Sequence, residues 1–325
     1  LIASNKQRLS EYLEYWLSVH KLRVEAITAV NYESHIRVQI VPALGMISLQ
    51  KLSTAQIQKW IAQMDEEKLA SGTIRLVYRV LHEALKDAVR WKLISSNPCT
   101  DTILVKLQQH EMHVLDVDQV QCFIASLQGH RYEALYVLAV TTGMRKGELL
   151  ALKWSDIDFQ TSRLQVKRTL IYINGVGYSE TDPKTKSSKR AITLTQVAIE
   201  TLREHRACQR AQRMQASSWQ FPDLVFARSA TGGYLAMATV HDNLRKVLQK
   251  ADLPDIRFHD LRHTCATLLL QMGTHPKVVQ ELLGHSSIKI TMDLYSHVLP
   301  NMQSDTMMSF NIVLTKNTRK KEVNS

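Results

Sequence analysis

RFHDLRHTCATLLLQMG (residues 257–273) sets His259, Arg262 and His263 within about one helical turn. HSSIKITMDLYSHV (residues 285–298) follows with His285 and Tyr295. Three readings compete for this crowding: the ordinary basic end of a helix, a metal site built on His259 and His263, or a phosphate site with a tyrosine beside it. The rest of the chain has to choose between them.

At 325 residues the chain exceeds the roughly 100–200 residues of one domain, so two domains with separate cores are expected. A hydrophobic content of 45% supports that. Forty-one Lys and Arg against thirty Asp and Glu leave a net charge of +11, a balance that favours a polyanionic partner through counterion release from phosphates. A membrane surface would attract the same charge. However, the longest strongly apolar run, ALYVLAV at 134–140, is far short of the ~20 residues that span a bilayer, and no signal peptide precedes the first helical pattern. Cys99, Cys122, Cys208 and Cys265 are scattered and form no CxxC pair, which argues against a disulfide framework and a structural zinc site and for a cytoplasmic setting. The first residue is Leu1 rather than Met.

From Lys6 to Trp91 the apolar spacing is helical. LSEYLEYWLSVH, TAVNYESHIRVQIVPALG, TAQIQKWIAQMDEEK and GTIRLVYRVLHEALKDAVRWKL predict four helices. Ser53–Thr54 and Ser71–Gly72 stand where helix starts belong. In the fourth helix Arg75, Arg79, His82, Lys86 and Arg90 fall in one narrow sector, opposite Ile74, Val77, Leu81, Ala84 and Ala88. Such a stripe is usually a solvated face. Here Glu83 and Asp87 stay off it, so the like charges are expected to stack unrelieved, and a nucleic-acid groove would relieve them.

SSNPCTDTILVKLQQHEMH (95–113) breaks the periodicity and reads as a connection. The first domain is placed at 1–105, a linker at 106–113 and the second domain at 114–325. In the second, helices are expected at 117–128 and 131–142 and from Met144. Alternating strands follow in RLQVKRTLIYI and KRAITL around a turn-rich NGVGYSETDPKTKSS, and helices return from Thr195. The predicted class is mainly α, two domains, the second mixed α/β with a small antiparallel sheet. The tail TKNTRKKEVNS reads as disordered.

In TTGMRKGELLALKW, Gly143 marks a turn, and Arg145 with Lys146 enters the first turn of a helix, where cations oppose the helix dipole by roughly 0.3–1 kcal/mol each. The same conflict recurs at Arg262 and His263 if a helix starts near Asp260. Together these suggest an anion held at both helix starts. Two arginines converging on one phosphate would stabilise the charge of a pentacoordinate transition state. A phosphodiester then needs a nucleophile and a proton donor. Tyr295 suits the first, because a phenol of pKa about 10 ionises more readily than an aliphatic alcohol, especially beside arginine, although most of ten tyrosines will simply pack. For the donor, Lys184 and Lys186 sit in the turn-rich hairpin, and spacing does not choose between them. The metal reading fares worse. HDLRH has the i, i+4 histidines of a zinc helix but lacks the Glu of HExxH, Arg262 would repel a dication, and MDEEK (64–68) spreads its acids over different helix faces. No metal and no cofactor are expected.

TGMRKGELLALKWSDID, PKTKSSKRAITL, HDLRHTCATLLLQMG and VVQELLGHSSIKITMDLYSHV occur in the order and spacing of the tyrosine recombinase, or phage integrase, family, which the chain resembles over roughly residues 6–300. The wording of the last is most similar to integrases of temperate phages and conjugative transposons of Gram-positive bacteria. The helical first domain resembles the family's core-binding, SAM-like domain. The resemblance implies a site-specific recombinase that integrates and excises a mobile element without metal or ATP. Tyr295 would attack the scissile phosphate, leaving a 3′-phosphotyrosyl enzyme and a free 5′-hydroxyl. Arg145 and Arg262 would hold the phosphate, and Lys184, preceding Thr185 as in the family's PKT pattern, would protonate the leaving oxygen. His259 and His285 would assist proton movement, and His263 would be structural. It further implies duplex attachment sites, for which the stripe of Arg75, Arg79, Lys86 and Arg90 read from spacing is the expected contact, and a homotetramer on two duplexes, each clamped in a C shape. Accessory DNA-bending or directionality proteins are also implied. The C-terminal segment would dock on a neighbour, for which TMMSFNIVL (306–314) is apolar enough, with packing on its own domain as the alternative. Many members carry an arm-binding domain ahead of the core-binding one, and high-affinity arm binding is expected to be absent from these residues. Two other readings stand beside this one: a type IB topoisomerase-like enzyme that relaxes supercoils without exchange, and a non-catalytic DNA-binding regulator.

Overall fold

The computed structural model describes residues 7–107, 113–182 and 188–295, with 307, 308, 310–312 and 314, and leaves the side chains of Leu294 and Tyr295 undescribed. The chain divides into two compact units, residues 1–111 with 173–175 and residues 112–172 with 176–325.

The first unit is helical: α1 (Leu9–His20), α2 (Ala26–His35), α3 (Val41–Leu44), α4 (Thr54–Glu66) and α5 (Ser71–Arg90). The expected second helix is divided, because a π-helical turn at Ile36–Ile40 separates α2 from α3. Pro42 lies just beyond it and offers no N–H to the preceding turn, a common cause of such a break. Ser53 caps α4 in a reciprocal pair with Gln56, whereas α5 starts at Ser71 with no side-chain cap. Ile74, Val77, Val80, Leu81, Ala84, Leu85 and Ala88 bury one face of α5 against a core that includes Tyr12, Trp16, Ile40, Ile57 and Ile61.

Residues 95–107 do more than connect. The hydroxyl of Thr54 donates to the Pro98 carbonyl at 2.9 Å, the Tyr78 hydroxyl donates to the Cys99 carbonyl at 2.7 Å, and Gln58 exchanges two bonds with Ile103. Arg75 Nη1 donates to the Val105 carbonyl at 2.9 Å. An extended stretch without periodicity is thus tied onto α4 and α5 by side chains, a pattern that apolar spacing cannot signal.

The second unit opens with α6 (Val117–Ser126), α7 (Glu133–Thr142) and the short α8 (Lys146–Leu150). The sheet forms two pieces. β1 (Ile157–Asp158), β2 (Arg163–Val166) and β5 (Arg190–Thr193) pair antiparallel in the order β1-β2-β5, with Leu164 opposite Ile192. β3 (Thr169–Ile173) and β4 (Gly177–Thr181) form a separate two-stranded ribbon. β4 lies in the stretch read as turn-rich, because its Gly, Ser and Glu are poor strand formers held there by pairing. Then come α9 (Gln196–Gln215), α10 (Met237–Lys250), α11 (Phe258–Gln271), α12 (Pro276–Leu283) and α13 (Ile288–Tyr295).

The apolar run at 134–140 is the core of this unit, because α7 is buried on all sides from Ala134 to Val140. None of the described helices is long and apolar enough to cross a membrane. Two helices end on left-handed glycines, Gly143 after α7 (φ +61°) and Gly284 after α12 (φ +68°). At Gly143 a Cβ would lie 2.3 Å from Leu283 Cδ2, so the two helix ends abut only because this residue has no side chain.

This packing yields a paired test. Gly129→Ala, at φ +71° with open space around it, should lose only the left-handed backbone preference, roughly 1–2 kcal/mol. Gly143→Ala should lose that plus an overpacking term of typically 1–3 kcal/mol. Urea unfolding of the two variants measures the difference, and equal losses would refute the contact.

Candidate active site

Arg145 precedes α8 as its N-cap and is held from two sides. Its backbone N–H donates to Glu148 Oε2 at 2.9 Å and its Nη1 to Glu148 Oε1 at 2.8 Å. Its Nη2 reaches the Gly284 carbonyl at 3.3 Å. The dipole conflict expected here is therefore offset by an acid at the third helical position. The second expected conflict does not arise. α11 begins at Phe258, with Asp260 at its third position bonded to the Arg257 N–H, so Arg262 lies beyond the first turn. Starting the helix two residues too late placed Arg262 against the wrong helix end.

Arg262 instead crosses to the end of α7. It is 3% exposed, and its Nη1 donates to the Gly143 carbonyl at 2.8 Å, an acceptor that α7 leaves unused by ending on a left-handed glycine. Its Nη2 is buried with no hydrogen-bond partner among the described residues. Burial, with the like charges of Arg145 and Arg190 added, pulls the Arg262 guanidinium down to about 9.

Arg190, at the start of β5, and Glu148 were not recognised from sequence as parts of this site. Arg190 Nη2 and Nη1 grip Glu148 Oε2 and Oε1 at 3.0 and 3.3 Å, and its Nε donates to the Leu282 carbonyl at 2.6 Å. Burial alone would raise the Glu148 carboxyl; the bonds and charges of Arg190 and Arg145 overcome it and hold the group below its usual range. Glu148 stands three residues after Arg145, as the acid of a capping pair does, so its position carried a signal. Arg190 carried none beyond being an arginine next to an alternating strand.

The histidines complete the cluster. The His285 ring is 6% exposed, and its Nδ1 lies 2.9 Å from the Thr291 hydroxyl on α13. Burial, then the charges of Arg262 and Arg145, push His285 down to about 3. His259 is held down to about 4, first by desolvation and then by His263 and Arg262. Its ring meets that of His263 edge to face, centroids 4.8 Å apart. The His263 Nδ1 is buried without a partner among the described residues. Both His259 and His285 are therefore neutral near pH 7, with one ring nitrogen each able to accept a hydrogen bond.

Of the residues singled out in the sequence, Arg145, His259, Arg262 and His285 are thus brought together. Lys184 lies outside the described residues. Tyr295 is the last residue of α13, a helix that packs on α11 and α12. The basic stripe on α5 lies in the first unit, away from this cluster in the chain. It is less crowded than expected, because Lys86 pairs with Glu83 at 3.7 Å and Arg90 with Asp87 at 3.8 Å. Arg79 is exposed, and Arg75 spends one nitrogen on the Val105 carbonyl.

Three guanidiniums gather near a single carboxylate, which Arg145 and Arg190 bond while Arg262 does not, and the neighbouring imidazoles are held below their ordinary pKa. Such a site can bind a phosphate and stabilise added negative charge on it.

Residues 113–302 match the phage integrase family, and residues 8–64 match the N-terminal SAM-like domain of phage integrases. A XerC-like tyrosine recombinase of Caldanaerobacter subterraneus is 31% identical across 93% of this chain and 82% of its own length. The ICEBs1 integrase of Bacillus subtilis is 26% identical across 79% of this chain and 70% of its own. Among solved structures, the Tn1549 transposon integrase in complex with a circular intermediate DNA superposes with a TM-score of 0.78 at 22% identity, covering 91% of this chain and 98% of that one. A lambda integrase tetramer bound to a Holliday junction gives 0.65 at 21% identity, covering 90% and 78%. The likeness to these two shows a shared fold, mainly helical with two small sheets, and the sequence matches carry the conclusion: this chain belongs to the phage integrase family of site-specific tyrosine recombinases.

Proposed function

We propose that this recombinase cuts and rejoins DNA at the Arg145–Arg262 cluster to integrate and excise a mobile element. The observation that carries the reading is the uncompensated positive charge of the buried cluster, with a guanidinium nitrogen of Arg262 left without a partner among the described residues. A phosphodiester held there would accept from Arg145 and Arg262 and offset the like-charge part of the depression of Arg262, His259 and His285, which burial begins and the neighbouring cations deepen.

In this reading the phenolic oxygen of Tyr295 forms a bond to the phosphorus while the bond to the 5′ oxygen breaks. The departing oxygen takes the electron pair and a proton from Lys184. The phenol proton passes to a neutral imidazole; His259 is exposed enough to receive it, and the negative charge of the bound phosphate restores the basicity that desolvation and the neighbouring cations remove. The phosphodiester bond energy is retained in the 3′-phosphotyrosine, so a 5′-hydroxyl of the partner duplex can reverse the step. His285, fixed by Thr291, would hydrogen-bond the phosphate, and Arg190 would act as a positioning residue through Glu148. The first unit, residues 1–105, would bind the core duplex through α5, and four copies would act on two duplexes. A type IB topoisomerase-like activity would use the same chemistry without joining two duplexes.

Incubation with a nicked suicide duplex bearing the element's end tests the assignment. Wild-type protein should become covalently attached, and Tyr295→Phe should bind equally while losing attachment altogether. Normal attachment by Tyr295→Phe overturns the nucleophile, and relaxation of supercoils with no recombinant product favours the topoisomerase-like reading.

A pH test addresses the cluster itself. Because His285 and His259 are held below their ordinary 6.5, the folded chain binds fewer protons than the unfolded one between about pH 6.5 and 4, and stability should fall as pH falls through that window. A bound phosphodiester supplies the missing negative charge and should raise both values, so binding near pH 5.5 should take up protons. Calorimetry in buffers of different ionisation enthalpy measures the uptake; none at pH 5.5 would mean that the DNA phosphate does not approach these rings.

A further inference from the structure

The long helix α9 carries two flanks of opposite charge. At 3.6 residues per turn Arg203, Arg206, Arg210 and Arg213 fall within a sector of roughly 80°, and Glu200 and Glu204 lie outside it. The helix buries Ala198, Ile199, Leu202 and Gln209, so the arginine flank borders the buried one and is open to solvent along Arg203, Arg210 and Arg213. At its base are two aromatic rings from the segment around β1. Arg206 lies 5.2 Å from the Trp154 ring centroid and 5.6 Å from that of Phe159, and Arg203 lies 6.0 Å from Phe159. Phe159, Arg203, Arg206, Ala207 and Arg210 line a shallow hollow of about 280 Å³.

Arg145, Arg168, Arg190, Arg245 and Arg257 of the same unit each meet a carboxylate, whereas Arg131, Arg163, Arg228 and Arg262 are not within ion-pair distance of one among the described residues; what sets α9 apart is that four such arginines share one flank. None of the four on α9 meets a carboxylate among the described residues, and none shares a bond with the site histidines or with Arg145, Arg190 or Arg262. Successive arginines rise by roughly 4.5–6 Å along the axis, so the row spans about 15 Å, long enough to face several consecutive phosphates of a duplex. Guanidiniums stacked on rings lose little freedom on binding and keep their outer N–H groups free for phosphate.

We propose that this flank of α9, built on Arg203, Arg206, Arg210 and Arg213 with Phe159, is a second duplex-DNA contact, separate from the catalytic cluster. It engages phosphates of DNA outside the segment being cut. The inference rests on the reading of the protein as a DNA recombinase, and it favours nucleic acid over an acidic protein because the row is periodic and the whole chain is cationic at +11.

The test uses the triple variant Arg203→Gln/Arg210→Gln/Arg213→Gln, which leaves the ring-stacked Arg206 in place. Binding to random-sequence duplexes of 20 and 60 base pairs is measured from 50 to 200 mM salt, with thermal melting as the folding control. Each phosphate contact contributes about 0.9 to the slope of log affinity against log salt, so three lost contacts should flatten the slope by about 2.7. Wild-type affinity should accordingly fall about 40-fold further than that of the variant across this salt range. Flattening on the 60-mer alone identifies DNA flanking the gripped segment and supports the proposal, whereas equal flattening on both lengths assigns the flank to the segment already gripped and overturns a separate contact. An unchanged slope in a variant that melts normally overturns it. So does loss of binding to polyglutamate with the duplex slope intact, which would assign the flank to an acidic protein. Covalent attachment to a suicide duplex should survive in the variant. If wild-type protein binds and cleaves but the slopes match, the second contact alone fails, whereas a wild-type protein that never attaches to DNA removes the recombinase reading as well.

Discussion

Three guanidiniums and one carboxylate, all but Arg145 nearly buried, set the terms for the second unit. Arg190 and Glu148 are almost wholly buried, and Arg262 is 3% exposed. Removing such groups from water costs several kcal/mol each unless they are paired, and Glu148 can neutralise only one of the three charges. The remaining compensation comes from helix ends. The carbonyls of Gly143, Leu282 and Gly284 accept from Arg262, Arg190 and Arg145, and helix C-termini carry the partial negative charge that favours cations there. The left-handed glycines make those acceptors available, because a residue with a Cβ at Gly143 would meet Leu283 before the helix ends could approach.

That arrangement leaves the fold electrostatically incomplete. Arg262 and His285 are both depressed first by burial and then by neighbouring cations, and both would be eased by one negative charge placed among them. A ligand that supplies that charge binds to a site whose donors are already oriented, so little reorganisation is needed when charge develops on it. Groups 145, 190, 262 and 285 residues into the chain reach this volume because α8, β5, α11 and α12 meet at the ends of α7 and α12. Arg190 fixes the meeting by bonding α8, through Glu148, and α12, through Leu282, at once.

The helical skeleton was largely legible because its signals are periodic: α1 falls where its apolar spacing puts it, and the faces of α5 separate as the 3.6-residue repeat requires. What stayed hidden was aperiodic. The ties from residues 98–105 back to α4 and α5 use side-chain and carbonyl bonds with no repeat, and β4 is a strand by pairing against weak propensity. In the site, Arg145, His259, Arg262 and His285 could be picked out as polar residues beside helix boundaries. The reasoning that linked Arg262 to a helix start was mistaken all the same, because a cap two residues earlier moves it into the second turn. Arg190 and Thr291 were missed because each acquires its role only from a partner far away in sequence or beyond a helix break.

Net charge is a poor guide to where a polyanion binds, as the two basic helices demonstrate. On α5 the stripe predicted from spacing proves partly neutralised, with Lys86 and Arg90 each within ion-pair distance of an acid one turn away. Exposed pairs of this kind contribute little to stability, but they lower the charge a phosphate would meet. On α9 the arginines lie on a flank without acids, and two rings at their base restrict where the guanidiniums can go. The same physics governs the catalytic cluster, where Glu148 leaves two of three arginines uncompensated. The useful quantity is therefore the number of cations gathered on one surface without a carboxylate: three guanidiniums against one acid around Arg262, and four arginines along the flank of α9.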